Sequence, residues 1–485
     1  MNFMERNLKN NLIKKFLSFS IGGYINILIG LFTVPITTRM LSPEQYGISS
    51  LITTVTSFMF VVCCLGTEQG FVRFFYEEKE ENRGKLLYNC LFYPFFISII
   101  VFVGIYLFRN KISIFFLGYE EKYIWLILIG SILFSSLNNF SLLIIRMQQR
   151  GKLYSFFNVL LKSLEFVLIL CLYKMYGNNY KTLVLAVFFS LVIVSIFSLC
   201  AERKIWKFKG KSSNTKKDIL LFSLPLTLTM ALNWIFASSD KIIIKILSNT
   251  TELGLYSGAF KIIALLSVLQ TGFTTFWTPV SLERYTKNPE DTEFYRKINN
   301  YLSLIFFSLG IGILMFRNII TLLLGKEYYD SIYIMPMLVF VPIMYLLSET
   351  THMGISFKKK TKYYLYISII VSITNLIGNL ILVPYFGAKG AAISTGISYI
   401  IFFSLRTYFS TKLINFRFNL KRIYLIIFLL FLYALLLSFY NKIIINILIG
   451  IIIEIIILLM YSSMLKKFYK YLKFSIFQRK NICLK

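Results

Sequence analysis

Histidine is almost missing from this chain, acidic residues are few, and charge of any kind is sparse. His352 is the one histidine, Asp and Glu together number 22, and only 15% of the 485 residues are charged. A soluble domain carries about a quarter charged residues, so this sequence cannot supply a fully solvated surface. The six cysteines have no metal-ligand spacing. Cys63, Cys64, Cys90, Cys171 and Cys200 fall in apolar runs and Cys483 in a basic tail; the neighbours Cys63 and Cys64 read as small hydrophobes. No glycine-rich phosphate loop, no carboxylate pair at catalytic spacing and no Cys/His cluster is found, so no catalytic residue, cofactor or metal is expected. His352 reads as a surface residue, with a proton-responsive group as the other reading.

Apolar length takes the place of charge. The chain is 57% hydrophobic and 17% aromatic. A run of about 20 apolar residues crosses a bilayer as a helix, and fourteen such runs are present: 16–37, 46–66, 86–108, 123–143, 155–176, 180–200, 218–238, 255–282, 298–317, 331–348, 363–385, 390–409, 423–440 and 443–464. The first is too long for a signal-peptide core and lacks a small-residue cleavage site after it, so it reads as a retained helix. The expected fold is all-α, a polytopic membrane protein with 14 transmembrane helices.

A net charge of +30 would suit nucleic acid, but its placement argues for a membrane. With the N-terminus in the cytoplasm, 38 of the 52 Lys and Arg fall in inward segments and 12 in outward turns, leaving Lys162 and Lys261 within spans. That bias is the positive-inside signal. It places both termini of a multi-pass protein in the cytoplasm. The basic run from Arg203 to Lys217 is then an anchor to anionic lipid, and no nucleic-acid partner is expected.

Sequence features recur along the chain. Lys152-Leu153-Tyr154 before span five matches Lys362-Tyr363-Tyr364 before span eleven. The span ends match too, Tyr173-Lys174-Met175-Tyr176-Gly177 against Val383-Pro384-Tyr385-Phe386-Gly387. Spans one to six therefore map onto seven to twelve. Six crossings is an even number, so the halves share one orientation. The expected organisation is an N-terminal six-helix bundle (1–200), a flexible basic linker (201–217) and a second six-helix bundle (218–409) in parallel pseudo-repeat. Two additional helices (410–464) and a basic tail (465–485) follow. The outward connections are short, which leaves a membrane transferase or polymerase no loop in which to place acid/base groups.

At this point a resemblance enters. Pro35, Arg39, Leu41 and Pro43-Glu44-Gln45-Tyr46-Gly47 resemble the first-loop signature of bacterial polysaccharide-unit flippases. Pro225, Asp240-Lys241 and Glu252-Leu253-Gly254-Leu255-Tyr256-Ser257 resemble their mid-chain signature. Phe276-Trp277, Pro279, Gly325, Tyr328, Asn375, Asn379, Pro384, Gly387 and Gly390-Ala391-Ala392 are similar to later features. The family is the polysaccharide transporters of the multidrug/oligosaccharidyl-lipid/polysaccharide flippase superfamily. The resemblance implies translocation of an undecaprenyl-diphosphate-linked oligosaccharide from inner to outer leaflet, for O-antigen, capsule or exopolysaccharide assembly. It also implies membrane lipids as surroundings, H+ or Na+ as a coupling ion, and a polysaccharide polymerase as a partner. A cation-coupled multidrug antiporter of the same superfamily and a peptidoglycan-precursor flippase are the alternatives.

That task calls for buried cations to receive a diphosphate, since a charge within a span is costly and is retained for a partner or a pathway. Lys261, inside span eight, is the first candidate. Arg39 and Lys241 stand at the outer ends of spans one and seven, and Arg73 lies just inside span two. Snorkelling to headgroups is the alternative reading for these three. Lys162 and Glu165 share a helix face in span five, either as a mutually neutralising pair or as an ion-linked switch. Glu68 and Asp240 are acids at span ends suited to a proton or Na+. Glu454 stands alone in span fourteen, with no role legible. Trp234 and Trp277 are placed to stack on sugars or to sit in an interfacial belt, and Trp277-Thr278-Pro279 reads as a kinked helix end.

Overall fold

The structure is a computed structural model describing residues 3–466, with side chains described from residue 21 onward except at Ser267, Val268, Leu269, Thr271, Gly272, Thr275 and Pro279. The described residues fold into helices joined by turns and short loops, with no strand among them. Within a bilayer each helix satisfies its own backbone hydrogen bonds, which water cannot do there. In chain order the helices are α1 (Phe3–Met40), α2 (Pro43–Cys64), α3 (Thr67–Phe74), α4 (Arg83–Leu107), α5 (Arg109–Leu117), α6 (Ile124–Met147), α7 (Gly151–Tyr176) and α8 (Lys181–Ala201). There follow α9 (Lys216–Leu247), α10 (Thr250–Ala264), α11 (Ser267–Lys287), α12 (Thr292–Met315), α13 (Arg317–Thr321), α14 (Ser331–Leu338), α15 (Phe340–Thr351) and α16 (Met353–Phe357). The last are α17 (Lys362–Leu413), α18 (Leu420–Phe439) and α19 (Ile443–Met460).

Twelve of these segments are long and apolar enough to cross a membrane. The chain is a multi-pass, all-α membrane protein. The fourteen runs of the sequence map onto this set with two differences. Runs eleven and twelve both lie in α17, on either side of Gly387, whose backbone (φ 55, ψ −133) is not helical. Run eight is shared between α10 and α11, neither of which is among the twelve. Because α11 runs on to Lys287, Trp277 and Pro279 lie inside a helix and not at a kinked end. Trp277 is 1% exposed, packed against Phe273, Phe294 and Tyr295. It therefore has no free face for a sugar.

Contacts divide the chain into two compact units. The first comprises Met1–Val268, Leu323–Tyr329 and Ser368–Ala391. Its tightest contact joins the N-terminal turns of α2 and α10, where backbone meets backbone. A Cβ on Gly254 would fall 1.7 Å from the Pro43 carbonyl oxygen, and one on Gly47 would fall 2.1 Å from that of Thr250. Ser257 Oγ donates to Ser50 Oγ at 2.8 Å across the same contact. These residues occupy corresponding places in the two signature segments, and the correspondence extends outward. Gln45 Oε1 accepts from the Tyr180 amide at 2.9 Å, while Glu252 Oε2 accepts from the Ala388 amide at 2.9 Å. Both amides follow a glycine of nearly the same unusual conformation, Gly177 (φ 60, ψ −141) and Gly387 (φ 55, ψ −133).

Gly254→Ala is accordingly expected to remove the folded, monodisperse protein, because the methyl group has only backbone to displace and overpacking of this kind costs about 1–3 kcal/mol or more. Fluorescence-detected size exclusion in mild detergent reads the result. A monodisperse wild-type-like peak would show that α2 and α10 are not so closely apposed.

The second unit comprises Leu269–Leu322, Asp330–Ile367 and Ala392–Lys485. Two buried polar side chains join its helices. Arg317 is fully buried, and its guanidinium donates to the carbonyls of Ile332 (3.1 Å), Leu437 and Tyr440 (2.6 Å). The last two are carbonyls at the end of α18 that the helix itself leaves open. Asn446 of α19 donates to the carbonyls of Leu314 and Met315 at 3.2 Å each, closing the end of α12 in the same manner.

The basic linker differs from its expected flexibility. Glu78 is buried and gathers the segment around its carboxylate, with Ser212 Oγ at 2.6 Å, the Ser213 amide and hydroxyl at 2.9 Å each, and Asn214 Nδ2 at 3.0 Å. Asn89 Nδ2 also holds the Asn214 carbonyl at 2.9 Å. The small polar residues that suggested mobility are the donors that fix the linker. Burial works against the Glu78 carboxylate, but the hydrogen bonds from Ser212, Asn214 and Ser213 prevail and hold its pKa below the ordinary 4.5.

A carboxyl lowered on folding stabilises the contact above its unfolded pKa and loses that contribution as pH falls through the folded value. The linker is therefore expected to stay protected from protease at pH 5–8 and to loosen only well below about 4.5. Glu78→Gln is expected to loosen it at neutral pH. Equal cleavage of wild type and variant at pH 7 would contradict the role of the carboxylate.

Candidate functional site

The polar residues of interest in the first unit fall into two groups. Lys261 lies in the last turn of α10, with its Nζ 4.9 Å from the Tyr46 ring centre on α2. Tyr46 in turn meets Tyr328 edge-on at 5.9 Å, and Tyr328 Oη donates to the Leu41 carbonyl at 3.0 Å. Lys241 of α9 has its Nζ 6.0 Å from the Phe260 ring centre and is near enough to Lys261 to interact electrostatically. Lys261 is exposed and Lys241 half-buried. Two cations on the successive helices α9 and α10 give the region around them a positive potential.

Glu165 of α7 acts on Lys261 electrostatically and also binds Lys162 on its own helix, Nζ to Oε2 at 2.7 Å. The pairing read from the i,i+3 spacing is therefore present, with Glu165 as the member directed toward the cationic group. Arg39 is exposed in the last turn of α1. Arg73 is exposed on α3 and paired with Glu77 one turn on. Neither is among the residues that surround Lys261 above.

The second group is buried. Asp240 is 2% exposed. Its Oδ2 accepts from Tyr256 Oη at 2.5 Å and its Oδ1 from Asn379 Nδ2 at 2.6 Å. Asn379 Nδ2 also reaches Asn375 Oδ1 at 3.1 Å, which accepts from Ser239 Oγ at 3.2 Å. A carboxylate and an amide oxygen in one buried network suit a hard cation or a proton. Among the described residues no cluster of three or more His, Cys, Asp or Glu side chains is placed to hold a metal ion.

Glu68 is separate from both groups. It sits 4% exposed in the first turn of α3, and neither carboxylate oxygen has a hydrogen-bond partner among the described residues. Burial pushes its pKa up, with its own backbone amide working the other way.

In the second unit, sequence reasoning passed over a buried ion pair. Arg406 of α17 donates to Glu349 Oε1 at 2.8 Å and to Ser348 Oγ at 2.6 Å, both on α15. Its guanidinium also lies over Phe402 at 4.8 Å. His352, read from sequence as a surface residue, is 8% exposed, with Nδ1 2.9 Å from the Ser348 carbonyl and its ring against Tyr364. Helix α15 continues three residues past the expected span end and carries the histidine under cover. The available signal is Arg406 itself, which interrupts the otherwise apolar run 390–409.

A family model described as polysaccharide biosynthesis protein matches residues 12–284, the segment that contains both signature loops, Lys241 and Lys261. The chain belongs to the polysaccharide biosynthesis protein family. Lsg locus putative protein 1 of Haemophilus influenzae is 25% identical to this family member over 256 residues, 52% of this chain. The match spans 61% of that relative's length.

Two solved structures share the fold. One is titled lipid II flippase MurJ, inward closed conformation, with a TM-score of 0.68 at 19% identity, covering 92% of this chain and 99% of the other. The second is an inward-facing multidrug resistance MATE family transporter of the MOP superfamily. It has a TM-score of 0.60 at 15% identity, covering 86% of this chain and 98% of the other. At these identities the likeness is one of fold.

Proposed function

We propose that this protein translocates a polyprenyl-diphosphate-linked oligosaccharide from the inner to the outer leaflet of the cytoplasmic membrane, as a step in surface polysaccharide assembly. The observation that carries the proposal is the neighbouring pair of cations Lys241 and Lys261 on successive apolar helices of the matched family segment. A lipid-linked glycan presents an anionic diphosphate between a polar sugar and an apolar tail. Cations inside the membrane receive the diphosphate while the tail stays in lipid. A site for cationic drugs would instead be dominated by acids, which is the argument against the antiporter reading.

In this proposal two like-oriented six-helix halves rock to expose the site to each side in turn. Asp240 with its Asn375 and Asn379 partners, Glu165 with Lys162, and Glu68 are the groups through which H+ or Na+ would be coupled. Both termini lie in the cytoplasm, as the charge bias indicates.

Deletion of the gene is the test. The expected phenotype is loss of surface polysaccharide with lipid-linked oligosaccharide retained on the inner leaflet, restored by the intact chain. Unchanged polysaccharide with new sensitivity to cationic drugs would replace the proposal with the antiporter reading.

A further inference from the structure

The first unit also holds an open-sided cavity of about 390 Å³ lined by α2, α6, α7 and α8. That volume lies within the usual range for small-ligand pockets. Its walls set aliphatic side chains such as Leu142 and Val187 beside hydroxyl and amide side chains, among them Ser131, Ser135 and Asn139. Thr53 Oγ1 donates to the Ser49 carbonyl at 2.8 Å and Thr56 Oγ1 to that of Ile52 at 2.8 Å. Each hydroxyl proton is thus directed to its own helix, leaving the oxygen to the cavity as an acceptor. Asn138, 7% exposed and lining the cavity, has an amide oxygen with no hydrogen-bond partner among the described residues. Tyr154 adds an aromatic ring to the wall, and Arg146, exposed in the last turn of α6, stands at one end.

Hydroxyl and amide groups among aliphatic side chains, an aromatic ring and a cation at one end call for a ligand with matching features. It should both donate and accept hydrogen bonds, present apolar C–H faces and carry negative charge at one side. A sugar with an acidic substituent has all three. We propose that this cavity is a glycan subsite that holds one sugar unit carrying an anionic group, with the anion at Arg146. The inference rests on the translocation reading for its biological ligand, but not for its chemistry. Thr53 lies about 10 Å further along α2 than Tyr46, the residue beside Lys261. One substrate would therefore meet the diphosphate group and this subsite along the same helix. The anionic group could be a uronic carboxylate or a phosphate ester, and the two arms of the test separate these sources.

The test uses the full chain in lipid nanodiscs with free glucose, glucuronic acid and glucose 1-phosphate as probes, read by saturation-transfer NMR. Saturable binding is expected, with the acidic sugar that matches the natural substituent bound about tenfold more tightly than glucose. Arg146→Gln should bring the acidic probe down to the glucose value. Thr53→Val, which keeps shape and removes an acceptor, should weaken all three probes, as should Asn138→Leu. Equal binding of charged and neutral sugars, or binding indifferent to all three substitutions, would overturn the proposal, as would a tightly retained lipid that no sugar displaces. Lys261→Ala keeps the two claims apart. If it stops transport but free sugars never bind, only the subsite fails. If transport persists while Arg146-dependent binding is present, the cation assignment fails and the subsite stands.

Discussion

Lys261→Ala is expected to reduce translocation by about 100-fold or more while leaving protein level and fold intact. Removing one partner of a close charge pair costs roughly 2–5 kcal/mol, and about 1.4 kcal/mol corresponds to a factor of ten. The direction of the stability effect makes the prediction specific. A lysine within a span opposes insertion by about 2.5–3.5 kcal/mol, so the alanine variant should insert and fold at least as well as the wild type. Lys261→Arg keeps the charge and should retain part of the transport. Tyr46→Phe keeps the ring beneath the ammonium, 4.9 Å away, and should be nearly silent. The measurement is outward movement of a labelled lipid-linked oligosaccharide in proteoliposomes. Full activity in Lys261→Ala would remove the diphosphate assignment.

Asp240 carries the second large effect. Asp240→Asn preserves the size of the side chain while removing the charge; its one oxygen still accepts from Asn379 and its new amide nitrogen donates to the Tyr256 hydroxyl, so the fold should survive. If the buried network binds the coupling cation or proton, this variant should lose the dependence of transport on the ion gradient and fall to the basal rate. Asp240→Ala goes further. It strands the Tyr256 hydroxyl and one Asn379 donor in a buried site, each at a cost of about 1–3 kcal/mol, and should lower the melting temperature as well. Gradient-driven transport that is unchanged in Asp240→Asn would assign the network to structure alone.

What could be read from the chain follows from the range of the interactions involved. The crossing helices were legible because the bilayer demands long apolar runs, and their family was legible because Pro43 to Gly47 and Glu252 to Ser257 are contiguous segments. The matching glycines Gly177 and Gly387 were visible as a repeat. Their backbone conformation, and their service to Gln45 and Glu252, became visible only once distant helices were placed together. The same holds for the site. Lys261 announced itself as a charge within an apolar run. Asn375 and Asn379 were noted as family features, but their attachment to Asp240 depends on α9 meeting α17.

Hydrogen-bond partners far apart in sequence account for the misses. Arg317, at the end of the ninth apolar run, closes the end of a helix 120 residues later, and no local pattern announces that partner. Glu78 was one acid in an acidic loop until the linker folded onto it.

The central claim is that Lys261 faces water inside the membrane. Cysteine labelling tests it most directly. In a background lacking the native cysteines, Lys261→Cys is expected to react with a membrane-impermeant thiol reagent from at least one side, with competition from added lipid-linked oligosaccharide. Reaction only with a lipid-soluble maleimide, and none with the impermeant reagent from either side, would place residue 261 against lipid and contradict the account.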